Sequence, residues 1–148
     1  MPEPKYERGM SAEAIDAVLR SLGFLGESLL GDVRWRRYGY SVELIFNYVW
    51  DRGGRIRPDV EGTPWLVTIS CEGVESLTVK GGLSDAMKRE PNQIGWGLSE
   101  VAVVRAEPCS VLDGIGVAVT ASWESDRELR VEAVSATIDL PPELVDLS

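Results

Sequence analysis

The sequence predicts an α+β fold: a predominantly antiparallel sheet of about six to seven strands, with an N-terminal helix packed on it and one short helix in a connection. Apolar and polar side chains alternate in several segments, which is typical of strands with one face in a core. An apolar stripe with helical spacing precedes all of these segments. Gly and Pro separate the segments, as expected for an antiparallel sheet joined by turns.

The clearest of these elements is a hairpin between residues 33 and 50. Large apolar side chains occupy alternate positions of its second strand: Val42, Leu44, Phe46, Tyr48 and Trp50. In its first strand, Val33 and Trp35 alternate with arginines. Tyr38-Gly39-Tyr40 lies between the two strands, where Gly permits the positive φ of a tight turn or bulge. We expect four tryptophans to be core residues: Trp35, Trp50, Trp65 and Trp123.

The N-terminal helix has a capping residue, an apolar stripe and a stop signal. Ser11 can cap it and Gly23 can end it. The stripe consists of Ile15, Val18, Leu19 and Leu22. A short second helix is predicted from Asp85 to Glu90, between Ser84 as the cap and Pro91 as the stop.

The remaining strands follow the hairpin in order. They are predicted at Trp65–Cys71, Leu77–Val79, Leu98–Ala106, Ile115–Trp123 and Leu129–Leu140. Glu72-Gly73 marks a turn or bulge between the first two, and Pro108 lies in a loop. The strand that ends at Trp123 has small residues on its second face, which predicts close approach by another element. Six residues are predicted to be buried together: Leu44, Phe46, Val67, Ile69, Val117 and Val119.

The last strand changes its apolar phase. Leu129, Val131 and Ala133 share one register, whereas Val134, Ala136, Ile138 and Leu140 share the other. A regular strand would send one of these sets to solvent. A bulge or bend at Ala133-Val134 would place both sets inside, and this is what we predict.

The chain is predicted to be one domain, residues 11–148, preceded by a flexible N-terminus at residues 1–10. It holds no apolar run of the roughly 20 residues that cross a bilayer, and no signal-peptide pattern, so a cytoplasmic protein is expected. Cys71 and Cys109 are expected to be buried thiols. No cofactor or metal site is predicted.

The charge distribution and the absence of histidine exclude some kinds of catalytic site and disfavour some kinds of partner. Without histidine, the Ser-His and Cys-His triads are excluded. The net charge of −9 lies entirely in residues 61–148, because residues 1–60 hold nine acidic and nine basic residues. Such a charge disfavours nucleic acid and anionic membranes, and is compatible with a basic protein partner. Predicted partner-binding residues are the acids of one hairpin loop and a tryptophan between glycines: Glu124, Asp126, Glu128 and Trp96.

Two other charged groups have plainer interpretations. The arginines near the hairpin could form an RNA-binding face, or a solvated sheet face balanced by Glu43 and neighbouring acids, and we favour the second. The carboxylate pairs Asp59/Glu61 and Glu72/Glu75 match no calcium-loop spacing, so we interpret them as solvated loop charge.

A set of features follows the N-terminal helix in a fixed order: Gly31-Asp32 before a hairpin, a strand ending in Trp50, then Glu72-Gly73-Val74 and a strand with Leu77. This layout resembles that of small α+β immunity proteins in bacterial polymorphic-toxin systems. The resemblance implies a protein that is not an enzyme and that blocks a toxin by binding it, often through an acidic surface.

Three functions stay open at this point. The first is a non-enzymatic protein-binding domain, of the immunity type, with a basic partner. The second is a small-ligand carrier, with a pocket between sheet and helix that is lined by Trp and Tyr. The third is an enzyme that uses carboxylates. A cavity of several hundred Å³ would favour the second.

Overall fold

The structure, a computed structural model, describes residues 9–48, 65–81, 85–90, 101–123 and 126–141. In these residues two α-helices accompany a six-stranded antiparallel sheet, which confirms the predicted α+β fold. The helices are α1 (Ala12–Ser21) and α2 (Asp85–Arg89), and the strands are β1 (Leu29–Arg36), β2 (Ser41–Asn47), β3 (Leu66–Lys80), β4 (Val103–Val111), β5 (Gly114–Ser122) and β6 (Glu128–Asp139). The strand order in the sheet is β1-β2-β3-β6-β5-β4. No helix of the described residues is long and apolar enough to cross a membrane.

Helix α1 begins and ends where its sequence signals predict. The Ser11 hydroxyl accepts a hydrogen bond from the amide of Ala14 at 3.1 Å, which satisfies one free amide of the first turn. Ile15 and Leu19 of the predicted stripe are completely buried, and the helix packs mainly against β4. Met10, the last residue of the predicted flexible N-terminus, donates its amide to the carbonyl of Ala136 at 2.9 Å.

The predicted hairpin is confirmed as β1 and β2, which pair from Leu29 opposite Asn47 to Arg36 opposite Ser41. Its turn differs from expectation in one respect. Arg37 and Tyr38, neither of which is glycine, have φ of 52° and 58°. The turn therefore holds two side chains in a left-handed conformation that is costly for residues with a Cβ.

The third and fourth predicted strands are wrong as separate elements, because β3 runs through both of them. At Glu72-Gly73 the chain does not reverse: Gly73 takes a φ of 67° and the strand continues. Between Val74 and Ser76 β3 advances two residues while β6 advances one, from Ala133 to Glu132. Glu75 is thus the extra residue of a bulge.

The loop predicted at Pro108 is also wrong. Strand β4 starts at Val103, later than expected, and runs through Pro108 to Val111. It pairs with β5 on one side and is the last strand in the sheet order. A proline has no N–H to donate, and an outer strand tolerates this because one of its sides makes no ladder.

The phase change of β6 coincides with irregular pairing to β3. Leu129, Val131, Ala133 and Ala136 are all buried in one core cluster, and Ile138 packs against it. Val131 and Ile138 are therefore both inside, as predicted. The pairing of the two strands passes over Gly73 and Val134 and shifts between Val74 and Ser76, opposite Ala133 and Glu132. The irregularity therefore lies where we predicted a bulge or bend, although its extra residue, Glu75, belongs to β3.

The predicted core is confirmed, since all six residues belong to the same buried cluster. Trp123 is buried and Trp65 partly buried, but Trp35 is 57% exposed, so its core assignment is wrong. Trp35 alternates correctly, yet β1 is the first strand in the order and leaves its outer part uncovered. Trp50 lies outside the described residues.

Candidate functional site

A cleft of about 260 Å³ lies between β1 and the paired segments of β3 and β6 that hold Val79 and Leu129. Strands β1, β3 and β6 and the segment before β6 supply its walls. We call it the tryptophan cleft and define it by the residues that line it: Leu30, Val33, Trp35, Leu77, Val79, Trp123, Arg127 and Leu129. Concave sites that are mostly apolar and have few polar groups are typical small-molecule sites.

The cleft exists because strand lengths differ. Strand β2 pairs with β3 only as far as Glu72, opposite Ser41. Beyond that point β3 continues alongside β6, with Leu77 opposite Val131 and Val79 opposite Leu129. The far half of β3 therefore has no β2 on its other side, and side chains of β1 face it across the gap.

The cleft has a buried floor and an exposed rim. Leu129 and Trp123 are each 6% exposed, whereas Trp35 is 57% and Val79 61% exposed. Apolar surface in water costs roughly 25 cal/mol per Å², so covering the rim would be favourable. An apolar ligand that covered the rim would therefore gain free energy from the burial of this surface.

Arg127 is the only charged residue among the described residues that line the cleft. The carbon of its guanidinium lies 4.7 Å from the centre of the Trp123 ring, a cation–π distance. The carbonyl of Arg127 accepts a hydrogen bond from the amide of Trp123 at 3.1 Å. Arg127 is thus positioned by its backbone and by its side chain.

Two of the predicted partner-binding residues flank this arginine. Asp126 is exposed and Glu128 is half-buried. Glu128 opens β6 opposite Lys80, and their charged atoms lie 3.8 Å apart. Glu124 and Trp96 lie outside the described residues. A partner-binding role for these four residues stays a prediction.

Four of the other described acids of the second half have partners within the chain. Glu72 pairs with Arg37 at 3.4 Å, and Glu107 and Glu132 contact Arg130 at 2.8 and 3.5 Å. The Glu75 carboxylate accepts the amide of Leu112 at 2.9 Å. These carboxylates stabilise the fold, which leaves less of the negative charge available for a partner.

The arginines of the hairpin are likewise paired. Arg34 contacts Asp32 at 2.8 Å, and Arg36 contacts Glu43. The Arg34 guanidinium lowers the pKa of Asp32 from its usual value. Acids of the same chain balance these described arginines, as expected for a solvated face. The choice of a solvated face over an RNA-binding face stays a prediction.

A second groove, of about 270 Å³, lies between α1 and β4. Its central carboxylate, Asp16, accepts hydrogen bonds from Arg105 and from the amide of Ala106. The Arg105 hydrogen bond is the main cause that lowers the pKa of Asp16. Because this carboxylate is engaged by its own fold, we interpret the groove as structural.

The two thiols are free, Cys71 buried and Cys109 half-buried. Burial raises the pKa of Cys71 to about 12, and burial is also the largest cause that raises the pKa of Cys109. Neither is an activated nucleophile. No three metal-ligating side chains come together within the part of the chain that the structure describes.

No family model matches the sequence, and no curated protein matches it. The resemblance to immunity proteins stays a prediction.

Sequence reasoning missed the cleft itself. The alternation of Leu77, Val79 and Leu129 was apparent as an apolar pattern, but it does not reveal that β1 faces these residues. Arg127 had one available signal: it lies in a polar hairpin loop four residues after Trp123.

Proposed function

We propose that this chain is a non-enzymatic binding protein that holds a small apolar ligand in the tryptophan cleft. The observation that carries the proposal is the pair of exposed apolar side chains, Trp35 and Val79, at the rim of an apolar cleft of about 260 Å³. The pocket differs from the one predicted between sheet and helix, because strands and no α1 residues line its described part.

The alternative with a basic partner has weaker support. It needs free acidic side chains, and the described acids Glu72, Glu75, Glu107 and Glu132 contact arginines or an amide of the same chain. Binding of an apolar ligand in the cleft does not require acidic side chains without partners, since the binding energy comes from the burial of apolar surface.

The test is a titration with N-phenyl-1-naphthylamine, an uncharged probe whose fluorescence rises in apolar surroundings. The wild-type protein is expected to bind it saturably at one site. Val79→Glu places a charge at the rim and should weaken binding by tenfold or more, because an unpaired charge would be desolvated by the probe.

Ile115→Glu is the matched control. Ile115 is a β-branched strand residue that is 75% exposed, comparable with Val79 at 61%, and it does not line the cleft. Its variant should bind the probe as the wild type does. Equal binding by all three proteins, or no saturable binding by any, would overturn the proposal.

A basic protein is the second candidate, and one observation favours it. Asp126 and Glu128 flank Arg127 at the end of the cleft, so an apolar side chain in the cleft could be accompanied by a cation at its rim. We expect a tagged chain to recover a basic protein from its native host at low salt and to lose it at high salt, because salt screens exposed charges.

Asp126→Asn with Glu128→Gln should abolish that recovery. Asp113→Asn, an exposed acid in the turn between β4 and β5, is the control and should leave it unchanged. Recovery that is independent of salt and of the first two substitutions would exclude this candidate.

A further inference from the structure

We propose that two copies of this chain pair with each other through the outer edge of β1, antiparallel and about a two-fold axis at Val33. The inference goes beyond the proposed function and does not rest on it.

Strand β1 is the less protected of the two outer strands of the described sheet. The other outer strand, β4, contains Pro108, and the amide of its Ala106 donates to Asp16 on α1. A proline and a covering helix both hinder the addition of a further strand. Strand β1 contains no proline, and among the described residues it pairs only with β2. Its second edge is therefore a template for another strand.

The charges of β1 are complementary to themselves. Asp32 and Arg34 lie on the same face of the strand, and their side chains are 47% and 55% exposed. In antiparallel pairing about Val33, Asp32 of each copy lies opposite Arg34 of the other, with Cβ atoms about 5 Å apart. Each Asp32 also keeps the Arg34 of its own strand at 2.8 Å, so four charges alternate in sign around the axis. Neither charge has to leave its present partner.

The same charges disfavour the neighbouring registers. An axis at Asp32 would place the two Asp32 carboxylates opposite each other, and an axis at Arg34 would do the same to the two guanidinium groups. Like charges directly opposite each other destabilise a strand pair. The charge pattern therefore selects the axis at Val33 over its neighbours.

The apolar face of β1 agrees with this register. Val33 would lie beside Val33 of the second copy, and Trp35 opposite Gly31, which has no side chain to obstruct the indole. Trp35 is 57% exposed in one chain, so its burial by the second copy is favourable. The pairing of β1 shifts at Gly31, which limits the regular ladder. Such a short interface predicts a weak dimer, with a dissociation constant in the high micromolar range.

The experiment is sedimentation equilibrium of the full chain, from low micromolar to millimolar protein. The average mass is expected to rise from that of one chain towards that of two. Asp32→Arg and Arg34→Asp each place like charges opposite each other and should weaken dimerisation by about tenfold or more. Asp113→Arg and Lys88→Glu are the matched controls, because they make the same changes of charge at exposed positions outside β1. Both should dimerise as the wild type does.

Mixing the two β1 variants gives the decisive comparison. Asp32→Arg presents only guanidinium groups at the two positions, whereas Arg34→Asp presents only carboxylates. In a mixed dimer every opposite pair is therefore attractive. The two variants should be monomers apart and form mixed dimers together, which native mass spectrometry identifies because their masses differ. An unfolded variant could not form this dimer, so a mixed dimer also shows that both variants are folded.

The double variant Asp32→Arg/Arg34→Asp exchanges the two charges and should dimerise as the wild type does. A wild-type chain that stays monomeric at every concentration would refute the proposal. So would a dimer that neither single variant weakens, or a mixture of the two that stays monomeric while each has a native circular dichroism spectrum. Asp32 and Arg34 do not line the tryptophan cleft, so binding of N-phenyl-1-naphthylamine by these variants tests the proposed function separately.

Discussion

The carboxylate of Asp16 on α1 accepts two hydrogen bonds from the guanidinium of Arg105 on β4, at 3.0 and 2.9 Å. The same carboxylate accepts the amide of Ala106 at 3.0 Å. That amide belongs to the outer strand of the sheet order, where no further strand is described to receive it. One side chain of the helix therefore both attaches α1 to the sheet and satisfies part of the outer strand.

We expect Asp16→Ala to lower the free energy of unfolding by about 1–2 kcal/mol, measured by chemical denaturation. The substitution removes the ion pair and leaves the Ala106 amide without this acceptor. The Arg105 side chain is 53% exposed, so solvent screening keeps the contribution of this ion pair to stability modest. Glu13→Ala, at an exposed position of the same helix, is the control and should change stability by less than about 0.5 kcal/mol.

The loss of stability caused by Asp16→Ala should depend on pH. Because the folded pKa of Asp16 lies below the ordinary value of 3.8, the carboxylate stabilises the fold fully only above about pH 5. The contribution is lost as the pH falls through the lowered folded pKa. The stability difference between the wild type and Asp16→Ala should therefore be constant near neutral pH and shrink in acid. A difference that persists unchanged at pH 2 would contradict the ion-pair explanation.

The elements of this fold were predictable where one local pattern had one structural meaning. Alternation in β2 and the stripe of α1 have no competing interpretation over their lengths. Glu72-Gly73 has two, since a glycine with positive φ serves a turn and a bulged strand equally well. Pro108 was ambiguous for a similar reason. A proline interrupts a central strand but is tolerated in an outer one, and the sequence does not reveal the order of the strands in the sheet.

Gly116 gives a sharper test of the packing between β5 and β6. The small residues of β5 predicted a close approach, and a Cβ on Gly116 would clash with the carbonyl oxygen of Ala133. This carbonyl oxygen belongs to the backbone, so it cannot shift at a low energetic cost. Gly116→Ala should therefore lower the free energy of unfolding by about 3 kcal/mol, or prevent folding.

Gly31→Ala is the matched control for Gly116. The nearest atom to a Cβ there is the carbonyl oxygen of Ile45 at 3.9 Å, an ordinary contact. This variant should keep stability within about 0.5 kcal/mol of the wild type. Similar denaturation midpoints for the two variants would show that β5 and β6 are further apart than the structure places them.

The candidate site was less predictable than the fold, and Trp35 shows why. Its alternation with arginines correctly assigns it to the inner face of β1, but exposure depends on what covers that face. The cover is missing because β2 stops opposite Glu72 while β3 continues alongside β6, and the sequence predicted a separate strand beyond that point. A cleft that depends on register is not readable from apolar periodicity.

Cys71 should be unreactive until the protein unfolds. It is completely buried, and burial raises its pKa to about 12, so almost no thiolate is present at pH 8. We expect Cys109→Ser, which leaves Cys71 as the only cysteine, to show no reaction with an aromatic disulfide reagent in buffer. In guanidinium chloride the unfolded variant should react and release one equivalent of the reagent's aromatic thiolate. Rapid reaction in buffer would mean that β3 opens readily.

Tyr38 occupies a strained position at the end of the hairpin, and relieving that strain should stabilise the protein. Its φ is 58°, a left-handed conformation, and its side chain is fully exposed, so removal sacrifices little packing. Tyr38→Gly should raise the free energy of unfolding by about 1 kcal/mol, because glycine adopts this conformation without a Cβ clash.

Tyr40→Gly is the matched control. Tyr40 has a φ of −65°, so glycine relieves no strain there and should destabilise through its entropic cost and the loss of side-chain contacts. Equal destabilisation of both variants in thermal denaturation would show that the Tyr38 side chain stabilises the turn more than its backbone strains it.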